Sequence, residues 1–138
     1  MFSEIAEIKS IREQKSRLSE REKELTEPML TDLDMIGELY GWFKEIVGDR
    51  DCKLRVGSTQ SRKQFILIVL YLYCPDALVG GRLRPGIRDR LACAVGCHPP
   101  FISNNIDSVL FFGQRYEDFR DNVNEVLVEI VKRIKPGD

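Results

Sequence analysis

The stretch Arg88-Asp-Arg-Leu-Ala-Cys-Ala-Val-Gly-Cys-His-Pro-Pro-Phe-Ile-Ser-Asn-Asn-Ile-Asp107 spells two short helices joined at one glycine. Leu91 and Val95, four apart, give the first segment an apolar stripe, and Ile102 and Ile106 do the same for the second. Ala92 is small enough to sit where two helix axes cross. Gly96 follows four residues later. Because only glycine enters the left-handed region at little cost, the chain is expected to leave one helix there and start the next at a steep angle. Pro99 and Pro100 suit a first helical turn, where the missing N–H groups would be unpaired anyway. The second helix is therefore expected to begin at Cys97 or His98.

A sharp corner of this kind displays the outward residues of the second helix, and the spacing is that of a helix-turn-helix pair, whose second helix enters the DNA major groove. On that reading His98, Pro99, Ser103, Asn104 and Asp107 face base edges. Asn104 can pair bidentately with adenine, His98 can donate to guanine or phosphate, and Ser103 can meet base or backbone. The same residues also allow a helical hairpin that only builds core. Charge favours the first reading. Residues 53–106 hold Lys53, Arg55, Arg62, Lys63, Arg82, Arg84, Arg88 and Arg90 against only Asp76 and Asp89, a net of +6 in a chain of net charge −1, so the remainder carries −7. Arg62, Lys63, Arg82, Arg84, Arg88 and Arg90 are the candidate phosphate contacts, since neutralising phosphates releases condensed counterions. The competing interpretation is a solvated basic face paired with acidic groups elsewhere in the fold.

From Ser61 to about Tyr116 the layout is similar to the C-terminal DNA-binding domain of the bacterial replication initiator and to the Trp repressor superfamily. The shared elements are a long apolar helix (Arg62 to Tyr73), a short linking helix, then a helix pair carrying Leu91, Ala92, Gly96 and Ile102. The initiator family has Asp-His-Ser-Thr after the turn, whereas this chain has Cys97-His98-Pro99-Pro100, so His98 is the one matching position. The resemblance covers about two fifths of the chain. It implies duplex DNA as partner without implying the initiator's own recognition sequence. The whole chain also resembles small proteins of bacteriophages and mobile elements.

Composition sets the remaining bounds. A chain of 138 residues, 43% hydrophobic and 31% charged, has the make-up of a water-exposed globular domain. Its first residues are acidic rather than basic, unlike a secretory signal, and its longest apolar run, Phe65–Tyr73, is too short to span a bilayer. Cys52, Cys74, Cys93 and Cys97 form no dense framework, so free thiols and a cytoplasmic setting, host cytoplasm for a phage protein, are expected. Cys93, Cys97 and His98 lack a visible fourth ligand and read as packing thiols, so neither metal nor cofactor is expected. One histidine, no glycine-rich phosphate loop after a strand and no paired carboxylates in a plausible cleft argue against an enzyme.

The pattern predicts an all-α chain: a charged helical arm over 1–27 and a compact helical domain over 28–138, with the helix-turn-helix at about 87–113. In the arm, Ile11, Leu18 and Leu25 repeat every seven residues and Ile5 and Ile8 extend the stripe, but Lys15 and Glu22 interrupt it. A frayed arm and a homodimer through this helix are both compatible with that pattern. Thr26 before Glu27-Pro28 reads as a helix start, and the spacing 29, 33, 36, 40, 43, 47 continues to Gly48 as a core helix. Gly37 and Gly41 cost it about 1 kcal/mol each and leave room for a close helix contact. Ser61–Tyr73 reads as a central helix buried on every side, and Tyr116–Ile134 as the closing helix, stopped by Pro136. Two functions fit: a DNA-binding phage or mobile-element regulator or replication-associated factor, or a helical protein-interaction or virion-assembly component that binds no DNA.

Overall fold

The computed structural model describes residues 1–49 and 57–135; Lys53, Arg55, Cys52 and the helix stop at Pro136 lie outside them. Among the described residues six α-helices follow in order: α1 Phe2–Thr26, α2 Ile36–Asp49, α3 Thr59–Tyr73, α4 Ile87–Val95, α5 Pro99–Arg115 and α6 Glu117–Ile134. Two 3-10 turns, Leu33–Met35 and Pro75–Val79, precede α2 and follow α3. The chain is all-α, with no strand among the described residues.

The centre belongs to α3, as its unbroken apolar run requires. Phe65, Ile66, Ile68, Val69, Leu70, Leu72 and Tyr73 are all within 1% of complete burial. Around it α2 contributes Ile36, Leu39, Phe43 and Val47, α4 contributes Ile87, Leu91 and Ala92, α5 contributes Ile102 and Val109, and α6 contributes Val126 and Ile130. The Phe65 ring lies 4.8 Å from Tyr40 and 5.3 Å from Phe43, in tilted aromatic contacts that join α2 to α3. A part-buried side-chain amide pair, Asn122 donating to the buried Gln64, links α6 to α3. The central helix starts two residues before the expected Ser61. The Ser58 hydroxyl accepts the Ser61 N–H at 3.2 Å, while the buried Ser61 hydroxyl donates to the Ser58 carbonyl at 2.9 Å.

Three expectations around α1 and α2 are corrected. Thr26 closes α1 rather than opening a new helix, its hydroxyl donating back to the Glu22 carbonyl at 2.8 Å. The helix expected from Met29 begins only at Ile36, because tertiary bonds hold the chain before it: the Leu30 N–H donates to the Leu72 carbonyl at 3.0 Å and the Tyr73 hydroxyl to the Asp32 carbonyl at 2.6 Å. The Asp32 carboxylate caps the short 3-10 turn by accepting the Asp34 N–H at 3.0 Å. Gly37 and Gly41 mark no close helix contact, since a Cβ at either would meet nothing within 4 Å. Burial, and secondarily the nearby Asp32 charge, pushes the Tyr73 phenol up to about 12.

α1 differs from every other helix in burying no residue at all. Its 25 residues make a rod of about 37 Å at 1.5 Å per residue.

Candidate nucleic-acid interface

The corner between α4 and α5 forms where the residue types require it. Gly96 has φ +72° and ψ 39°, and the N–H groups of Gly96 and Cys97 both turn back onto the Ala92 carbonyl. A Cβ on Gly96 would meet nothing within 4 Å, so the demand for glycine is torsional rather than steric. α5 begins at Pro99, not at Cys97 or His98. A residue preceding proline is pushed out of the helical region, and His98 accordingly has φ −79° and ψ 145°, its carbonyl accepting the Phe101 N–H at 3.0 Å. The second helix also runs past 113, to Arg115.

Along α5 the residues sort by face. Ile102 and Val109 are buried, with Phe101, Ile106 and Phe112 packed against the same core. At Gly113 α5 faces α3, where a Cβ would stand 3.4 Å from a Leu67 methyl. Asn105 and Ser108, on the flank, satisfy themselves locally. The Asn105 amide donates to the Phe101 carbonyl at 2.7 Å and the Ser108 hydroxyl to the Asn105 carbonyl at 3.0 Å. Ser103, Asn104 and Asp107 are exposed, and so is His98 at the cap, while Pro99 is half-buried. The Ser103 hydroxyl is met only by the Arg88 guanidinium of α4, at 3.5 Å, and Asn104 and Asp107 have no hydrogen-bond partner among the described residues. Four of the five expected base-facing residues are therefore exposed.

The six expected phosphate contacts are not equivalent. Arg82, Arg84 and Arg88 are exposed. Arg82 and Arg84 have no ion pair among the described residues, and Arg88 lies 3.7 Å from its neighbour Asp89. Arg84 borders an open groove whose other walls include Glu20, Glu24 and Glu27 at the end of α1, so acidic groups share its surroundings. Arg90 is ion-paired with Asp34. Arg62 and Lys63 are half-buried and engaged with the fold: the Lys63 ammonium sits 4.4 Å from the Phe112 ring centre, a cation–π contact. The Arg62 Nε is enclosed without a hydrogen-bond partner among the described residues, and the Arg62 charge reaches Cys97 at the corner. Burial pushes the Cys97 thiol up, against the opposing pull of Arg62.

One part of the exposed stripe escaped sequence reasoning. Phe111, half exposed, continues the line of Asn104 and Asp107 at helical spacing, and the Arg115 guanidinium lies 5.5 Å from its ring centre. The signal was the spacing 104, 107, 111, 115 carried beyond the first two turns. Among the described residues no group of three His, Cys, Asp or Glu side chains could hold a metal ion, and no helix is long and apolar enough to cross a membrane. The chain matches no protein-family model, no curated protein and no solved structure.

Proposed function

We propose that this protein binds duplex DNA, with the first half of α5 in the major groove. One observation carries the reading: past the Gly96 corner, Ser103, Asn104 and Asp107 form an outward polar face on which Asn104 and Asp107 have no hydrogen-bond partner among the described residues and Ser103 meets only Arg88. Asn104 reads a base edge, His98 and Ser103 contact base or backbone, and Asp107 accepts from a cytosine amine. Arg82, Arg84 and Arg88 hold phosphates, whereas Arg90, Arg62 and Lys63 are kept by Asp34, the corner and Phe112. The resemblance to initiator and Trp repressor domains supports a regulatory or replication-associated role, in a phage or mobile element acting in the host cytoplasm. A homodimer joined through α1 belongs to the same reading.

Phe111 favours a second reading, because a half-exposed aromatic in line with Asp107 suits a protein partner better than a phosphate surface. In that case the α5 face is a protein-docking or assembly surface. Selection from randomised duplexes separates the two. If DNA is the partner, an enriched site emerges; Asn104→Ala then weakens that site more than random DNA, and Arg84→Ala weakens both alike. Absence of enrichment together with no retention of any duplex at low salt leaves the protein partner.

A further inference from the structure

We infer that α1 pairs with the α1 of a second copy of this chain in antiparallel orientation. The inference deepens the dimer part of the proposed function and is independent of DNA. Ile8, Ile11, Leu18 and Leu25 line one side of α1, each at least 43% exposed, and the side is completed by Lys15 and Glu22. These six positions alternate by three and four residues, the seam of a two-helix coil.

Orientation follows from where the two charges fall. In a parallel, in-register pair, identical residues meet, so Lys15 stacks on Lys15 and Glu22 on Glu22, and two of six layers are wholly charged with like signs opposed. In an antiparallel pair whose facing residue numbers sum to 33, Ile8 meets Leu25, Ile11 meets Glu22 and Lys15 meets Leu18, each layer occurring twice. Every layer then contains an apolar side chain. Each Lys15 lies about 6 Å along the axis from the Glu22 of the other copy, giving two such pairs, while the two Lys15 residues lie about 4.5 Å apart along the axis across the dyad and form one like-charge pair. The lysine stem covers the leucine while its ammonium reaches that carboxylate. The parallel pair thus opposes like charges directly in two layers, whereas the antiparallel pair keeps one offset Lys15–Lys15 pair and gains two Lys15–Glu22 pairs. Among the described residues no side chain of α1 is buried against the body of the fold.

Two measurements on the 138-residue chain without DNA test this. Sedimentation equilibrium is expected to show a reversible dimer that Lys15→Glu weakens about tenfold and Glu22→Lys weakens equally, with the double exchange Lys15→Glu/Glu22→Lys restoring it. A parallel pair would respond little to any of the three, since like charges face each other in all of them. Spin labels on the Met1 amine should lie roughly 45 Å apart in the antiparallel dimer, from 1.5 Å of rise per residue, against about 10 Å in a parallel one. A monomer at all concentrations, a short label distance, or failure of the double exchange to restore the dimer would each overturn the inference. These sites are exposed, so an unchanged melting temperature confirms that the body is folded in every variant.

Discussion

α1 and α3 are both helices rich in isoleucine and leucine, yet α3 buries nine of its 15 residues and α1 none of its 25. The difference lies in arrangement. In α3 the apolar residues are contiguous from Phe65 to Leu70, so whichever way the helix turns it offers a surface to a neighbour, and α2, α4, α5 and α6 close around it. In α1 they recur singly between charges, leaving one narrow stripe that a domain of this size has no second layer to cover. Stability in α3 comes from tertiary burial. In α1 it comes from length, propensity and local pairs such as Arg21 with Glu24 at 3.0 Å, which is how a helix persists with no core of its own.

If α3 is the centre and α1 an outlier, truncating a side chain in each should have unequal effects. Phe65→Ala should cost about 3–5 kcal/mol in urea unfolding, the range for emptying a buried aromatic site. A loss under about 1 kcal/mol would mean that α3 is not the centre. Gly96→Val should cost more than about 1 kcal/mol, because a β-branched residue resists positive φ even where space is free. An unchanged melting temperature would count against the corner.

Tyr73 supplies a prediction in pH. Its phenol titrates near 10 when unfolded and about 12 when folded, so between these values the folded chain holds a proton that the unfolded chain has released. Its contribution is complete below pH 10 and is lost as pH rises through 12. Tyr73→Phe, which also removes the bond to the Asp32 carbonyl, should flatten that part of the stability profile; equal alkaline slopes for the two proteins would refute the assignment. The smallest effect belongs to α1. Leu18→Ala should leave the unfolding free energy of the monomer within about 0.5 kcal/mol, against several for Phe65→Ala.

These contrasts mark how far the sequence could be read. The central helix, the glycine corner and the closing helix were legible because each rests on a local rule: a contiguous apolar run, a left-handed position, a 3–4 stripe ending in Ile134. The start of α2 was not. The 3–4 spacing continues through Met29 and Leu33, but Leu30 and Asp32 are bonded to Leu72 and Tyr73, some 40 residues away, and no local pattern records that. The outward face of α5 was readable from the same periodicity that placed Ile102 and Ile106 inside. The state of the cations was not, since the engagement of Arg90 by Asp34 and of Lys63 by Phe112 depends on how separate helices dock. Net charge over a segment counts cations without telling which are free.

In the proposed function the α5 face, together with the exposed Arg82, Arg84 and Arg88, meets a polyanion. The most direct test is fluorescence anisotropy of a labelled mixed-sequence duplex titrated with the protein over a salt series. Three phosphate contacts by Arg82, Arg84 and Arg88 predict that log affinity falls with log salt with a slope of about −3, becoming shallower by about one unit for each arginine changed to alanine. Absence of binding at low salt, or binding that ignores salt and all three substitutions, would contradict the account.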